Sequence, residues 1–139
     1  MKNPLLLFTI KCSVILYFAA CTGIGDYAAD ITATPYVTKG TWKLNLYNTV
    51  NKSQVDDLTA YTFKFDPGGK IIASKDGMKI TGNWSEDEIL KRITISLDTK
   101  DPALKKLNDY WSISTITKTG VSLKNSKDPL KGGLQITSL

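Results

Sequence analysis

From residue 40 onward the apolar side chains repeat with a period of two rather than 3.6, and that period belongs to strands with one buried face. Trp42, Leu44 and Leu46 alternate with Lys43, Asn45 and Tyr47. Tyr61, Phe63 and Phe65 alternate with Thr62 and Lys64, and Ile93, Ile95 and Leu97 with Thr94 and Ser96. Short turn signals separate these runs. Asp66-Pro67-Gly68-Gly69 supplies a fixed and then a positive φ, Asp76-Gly77 is a pair favoured in two-residue hairpins, and Lys118-Thr119-Gly120 is a third reversal.

Further strands read as residues 70–75, 78–84, 110–117, 121–123 and 134–136, with 48–57, 85–90 and 125–133 as polar connections. Gly82 inside a strand marks a bend, a bulge or a close contact. The one helix expected lies near 101–108: Asp101 is a good N-cap, Pro102 suits the first helical position, and Lys105 and Lys106 favour the negative C-terminal end.

About eight short antiparallel strands joined by tight turns, without βαβ alternation, make the fold all-β: an up-and-down meander. Closing the meander, or nearly closing it, into a barrel removes the two exposed edges. The expected core is Trp42, Leu44, Leu46, Phe63, Phe65, Ile72, Met78, Ile80, Trp84, Ile93, Ile95, Leu97, Trp111, Ile113, Leu123 and Ile136.

Ahead of the domain, Lys2 opens an apolar run that Lys11 divides before it continues to Cys21. Neither piece reaches the 18 or so consecutive apolar residues of a spanning helix, so the pattern is that of a signal peptide. Phe18-Ala19-Ala20-Cys21 resembles a bacterial lipobox, with Phe18 where Leu is usual. An ordinary cleavage after Ala20 would instead place bulky Phe18 where a small residue is needed. The expected layout is therefore a lipoprotein signal over 1–20, an acylated Cys21, a flexible tether over 21–38 and a folded domain over 39–139. Two or more acyl chains anchor such a protein to a membrane without a spanning helix, which implies the cell envelope and first of all the outer membrane.

Charge and residue types exclude several chemistries. Of 18 basic residues two lie within 1–20, leaving 16 against 13 acidic ones. That small, scattered excess contains a single arginine, Arg92, and does not suit nucleic acid. Histidine is absent, so the usual general base and the commonest metal ligand are missing, and Ser residues have no triad partner. Only Cys12 and Cys21 are present, too few for a disulfide framework or a thiolate zinc site. Asp56 and Asp57, adjacent on an extended chain, point to opposite faces. Glu86-Asp87-Glu88 lacks the spaced oxygens and turn glycine of a calcium loop. Neither an enzyme nor a cofactor or metal site is expected.

Gly40-Thr41-Trp42 at the start of an antiparallel meander resembles the Gly-x-Trp signature of lipocalins. More closely, the chain is similar to the small lipocalin-like domains of Bacteroidota-type lipoproteins: an aromatic strand ending in a Gly turn (residues 63–69), a second Gly-x-Trp (Gly82 to Trp84) and a late Trp strand (Trp111 to Ile113) follow in order. No arginine follows the last strand to stack on Trp42, and no long C-terminal helix follows it, which argues against a full-size calyx. The resemblance implies a small apolar ligand in the barrel, held by Phe63, Phe65, Met78, Trp84, Ile95 and Trp111. The same side chains can equally form the packed core of a filled barrel, whose loops would then meet another envelope protein. Interior volume separates the two.

Overall fold

A computed structural model describes residues 32–48, 50–56, 58–128 and 132–139. The expected signal peptide and Cys21 lie outside the described residues. Two four-residue helices, α1 (Thr34–Val37) and α2 (Pro102–Lys105), accompany nine strands: β1 (Trp42–Tyr47), β2 (Gln54–Asp56), β3 (Thr62–Phe65), β4 (Lys70–Lys75), β5 (Met78–Asp87), β6 (Arg92–Leu97), β7 (Tyr110–Thr117), β8 (Gly120–Asn125) and β9 (Gly133–Ser138).

Each strand from β3 to β9 pairs antiparallel with the next, and β9 pairs with β1 along its whole length, from Trp42 opposite Ser138 to Tyr47 opposite Gly133. The other edge of β1 is shared. Trp42 lies opposite Phe63 of β3, and Leu46 lies opposite Asp56 of β2, a short strand within the connection expected over 48–57. Eight strands thus form a closed ring with β2 as a flap. The β1–β3 seam is its thinnest join, with one register pair, and the Lys43 ammonium reinforces it by donating to the carbonyls of Tyr61 (2.9 Å) and Thr59.

Because the strands alternate in direction, so do their connections. The β3–β4, β5–β6 and β7–β8 turns lie at the end where α1 enters β1. The β1–β3, β4–β5 and β8–β9 connections, and the one through α2, lie at the other.

The alternation read from sequence becomes the inside and outside of this ring. Trp42, Leu44, Leu46, Phe63, Phe65, Trp84, Ile93, Ile95, Leu97, Trp111, Leu123 and Ile136 are buried in one cluster, while Lys43, Asn45, Lys64, Lys79, Asn83 and Lys124 face outward. Among the described residues the outer surface is therefore largely polar and does not carry the apolar band of a lipid-facing barrel. Among the described residues no helix is long and apolar enough to cross a membrane.

Several expectations are corrected. Ile71, not Ile72, points inward, because Phe65 lies opposite Ile71 and Phe63 opposite Ala73, and facing residues of paired strands share a face. Met78 is 65% exposed: it pairs with Lys75 beside the β4–β5 turn, beyond the edge of the core. Ile80 and Ile113 are only partly buried, at the margin of the cluster. The acidic run is not all loop, since β5 continues to Asp87. The helix expected over 101–108 is shorter, with Asp101 capping it by accepting from the Ala103 and Leu104 N–H groups.

The domain also begins earlier than residue 39, and the part of the expected tether that is described is folded. Ala33 and Val37 are fully buried. The Glu86 carboxylate holds α1 by accepting from Ala33 N–H (2.5 Å), Thr34 N–H (2.8 Å) and the Thr34 hydroxyl (2.6 Å). These supply partners for N–H groups that the first turn of a helix leaves open.

Candidate functional site

The barrel interior is the place to look for a ligand site, and three indoles organise it. Each Trp contributes a large apolar body and a single polar atom that must find an acceptor when buried. Trp42 Nε1 donates to the Val37 carbonyl (2.6 Å), Trp84 Nε1 to the Asp66 carbonyl (2.9 Å) and Trp111 Nε1 to the Leu107 carbonyl (2.9 Å). Thus each indole ties one connecting segment to the wall: α1 at the entry end, the β3–β4 turn at the same end, and the segment after α2 at the opposite end.

The two Gly-x-Trp glycines do different jobs. Gly40 has φ +125°, a conformation that side chains rarely adopt, with open space where a Cβ would stand. Gly82 has no such angle, but a Cβ there would run into the Ser96 carbonyl and the Leu97 Cα of β6. The first glycine is needed for its backbone and the second for its emptiness.

Of the six residues expected around a ligand, five share the interior: Phe63, Phe65, Trp84, Ile95 and Trp111 are each at most 5% exposed, and Met78 lies outside with the β4–β5 turn. Phe65 and Trp84 meet edge to face, with ring centroids 5.3 Å apart and planes at 88°. Phe63 packs against Tyr61 at 6.2 Å. Phe63, Phe65, Leu44, Ile71, Ile93, Leu123, Leu134 and Ile136 have no accessible surface, so no water-sized void adjoins them. Among the described residues no polar or charged side chain is buried, so nothing inside would orient a polar ligand.

The end opposite α1 is closed by Leu58, Leu104 and Leu107, all with no accessible surface. Besides the Trp111 bond to Leu107, polar contacts at the margin of the core hold this plug. The Tyr61 hydroxyl donates to Asp101 Oδ2 (2.6 Å), Asn108 exchanges two bonds with the Leu97 backbone (2.7 and 2.9 Å), and the Lys75 ammonium lies 5.3 Å from the Tyr61 ring centre. The bond to Asp101, then burial, pushes the Tyr61 hydroxyl up to about 12. Asp101 is held below the usual carboxylate value, first by Tyr61 and then by the helix N–H groups and Lys75, against the opposing effect of burial.

A second polar cluster fastens β7 to the β8–β9 connection. Burial opposes the charge on Asp109, yet Lys127 (2.9 Å), the Tyr110 N–H (2.9 Å) and Asn125 (3.0 Å) together keep its carboxyl below the ordinary value. These groups are committed to one another, and the cluster reads as a fastening. Concavities open on the outer surface. One, of about 480 Å³, is lined by Asn45, Leu46, Tyr47, Lys52, Ser122 and Gln135; another, of about 330 Å³, lies beside Tyr36, Lys39 and Lys118; a third, of about 250 Å³, lies beside Thr41, Thr62 and Ile72. All three open to solvent and mix polar with apolar lining, unlike an enclosed apolar pocket. Among the described residues no three His, Cys, Asp or Glu side chains gather where a metal could sit.

Sequence reasoning missed Glu86 as the clamp on α1 and Tyr61 as the partner of Asp101. For Asp101 the capping pattern was a usable signal. Nothing local to Glu86 announces an acceptor for a helix more than fifty residues away.

No protein-family model and no curated protein matches this sequence. Solved structures do. A DUF4847 family protein from Bacteroides vulgatus superposes with TM-score 0.60 at 13% identity, covering 78% of this chain and 98% of that one. A lipocalin-like protein from Bacteroides uniformis superposes with TM-score 0.52 at 16% identity, covering 73% and 98%. At such identities the likeness establishes the fold, and the fold is lipocalin-like. The meander and the barrel expected from the sequence are both found.

Proposed function

We propose that this protein is a lipid-anchored, non-enzymatic component of a bacterial cell envelope, and that it acts through the outer surface of a lipocalin-like barrel filled by its own side chains. The observation that carries the filled barrel is the complete burial of Phe63, Phe65, Leu44, Ile93 and Leu134, which leaves no water-sized space against these interior side chains. The anchor rests on Phe18-Ala19-Ala20-Cys21 behind a divided apolar run. The absence of catalysis in this reading rests on an interior without polar side chains and a chain without histidine. The partner is then another envelope component.

The alternative is carriage of a small apolar molecule among Phe63, Phe65, Trp84, Ile95 and Trp111, a habit suggested by analogy of fold. It requires Leu58, Leu104 and Leu107 to move out of the barrel end. A titration decides between the two. With fatty acids and other apolar compounds, the emission of Trp42, Trp84 and Trp111 stays unchanged if the barrel is filled, and a saturable change in emission establishes carriage instead. Intact mass of the protein purified from a bacterial host tests the anchor: an acylated N-terminal Cys21 is expected, and an unmodified N-terminus overturns it.

A further inference from the structure

The β5–β6 hairpin ends in a fixed turn that holds two large apolar side chains away from the protein. Asp87 Oδ1 accepts from Ile89 N–H (3.1 Å) and Leu90 N–H (2.9 Å), and Lys91 completes the reversal at φ +49°. Ile89 is nevertheless 91% exposed and Leu90 55%. An ordered turn that spends its tip on two unburied aliphatic residues gains nothing for its own fold from them.

The location of the tip gives it meaning. Glu86, three residues before Ile89, receives the N–H groups of Ala33 and Thr34, so the tip stands beside the point where the chain enters the barrel. The same end presents Tyr36, 39% exposed, with the exposed Lys39 and Lys118 bordering one cleft. An end of a barrel that carries exposed aliphatic and aromatic side chains together with lysines has the composition that settles at the boundary between lipid headgroups and acyl chains. Glu88 is the exposed acid at this tip.

We infer that this end of the barrel docks on a lipid bilayer, with Ile89 and Leu90 inserted at the interface and Lys39 and Lys118 against anionic headgroups. The inference rests on the lipid-anchored reading, because acylation at Cys21 would attach the chain to the membrane from the same end. Only Thr22 to Thr32 separate Cys21 from buried Ala33, which limits the tether to about 40 Å even when fully extended. The docked barrel stands with its α2 end and Met78 facing away from the lipid.

The test uses the full chain, expressed with its leader and reconstituted into vesicles of phosphatidylethanolamine and phosphatidylglycerol, with and without brominated acyl chains. The native tryptophans are at most 5% exposed and serve as an unquenched background. Ile89→Trp is expected to emit further to the blue on vesicles, and its added emission to fall about twofold with brominated lipid, as for a group roughly 5–10 Å into the interface. Met78→Trp, at the other end, is expected to show neither effect. Unchanged Ile89→Trp emission, equal quenching of both variants, or a blue shift without bromine quenching, which would report burial against protein, each overturns the docking. Intact mass and vesicle flotation report the anchor separately. A protein without an acyl group fails the anchored reading alone, and the same quenching comparison with vesicles in excess still decides the docking.

Discussion

The Tyr61 hydroxyl donates a 2.6 Å hydrogen bond to Asp101, and so links the start of β3 to the cap of the helix that closes the barrel end. Tyr61 is 7% exposed, and the acceptor is a carboxylate that also receives two helix N–H groups. Hydrogen bonds to charged acceptors are stronger than neutral ones, which makes this the firmest polar attachment of the plug.

Its signature is a pair of pH limbs. Because the folded-state pKa of Tyr61 is raised from 10.0 to about 12, its contribution is complete below pH 10 and is lost as pH rises toward 12. Asp101 is depressed below 3.8, so its contribution is present above that value and is lost as pH falls through the lower folded pKa. Tyr61→Phe is expected to cost about 2 kcal/mol near neutrality, to abolish the alkaline limb and to shallow the acid one. Urea denaturation across pH measures all three.

Removing the Glu86 carboxylate frees α1. Glu86→Ala loses acceptors for two backbone N–H groups and the Thr34 hydroxyl, at a cost of about 2–3 kcal/mol, whereas Thr34→Val, which keeps both backbone bonds, costs about 1 kcal/mol. Hydrogen exchange locates the effect: amides of residues 33–38 exchange faster in Glu86→Ala, and those of β4 and β5 keep their protection.

The two Gly-x-Trp glycines separate in the same way when given a methyl group. Gly82→Ala drives a Cβ into the β6 backbone and is expected to cost about 3 kcal/mol or more. Gly40→Ala meets no atom and only the strain of its positive φ, about 1–2 kcal/mol. Thermal or urea unfolding that ranks Gly40→Ala as the worse variant would contradict this assignment.

Phe65 and Trp84 hold an edge-to-face contact between β3 and β5, two strands separated by β4. A double-mutant cycle with Phe65→Leu and Trp84→Leu is expected to show a coupling of about 0.5–1.5 kcal/mol beyond the two single losses. Additive losses would mean that the rings contribute through burial alone.

Much of the ring is legible in the sequence because inner and outer residues differ sharply in polarity: Phe63 and Phe65 against Lys64, Ile93 and Ile95 against Thr94. Where that contrast fails, so does the reading. Ile71 and Ile72 are adjacent and equally apolar, and only the pairing across the Asp66–Gly69 turn decides which is inside. Met78 carries a core residue type at a hairpin edge where there is no core to enter. Helix α1 is too short to show a period, and what holds it is a carboxylate in a run that reads as solvated acid. Five of the six residues expected around a ligand share the interior, since burial is what alternation reports, and Met78 does not; whether the five surround a space or fill one depends on side-chain fit, which no periodicity encodes.

The six register pairs between β1 and β9 join residues 42–47 to residues 133–138, nearly the two extremes of the described chain. Contacts so distant in sequence cannot form until the last strand has emerged from the ribosome or a translocation channel. The hairpins from β3 to β8 pair neighbours in sequence and can form as they appear, whereas closure of the ring waits for β9.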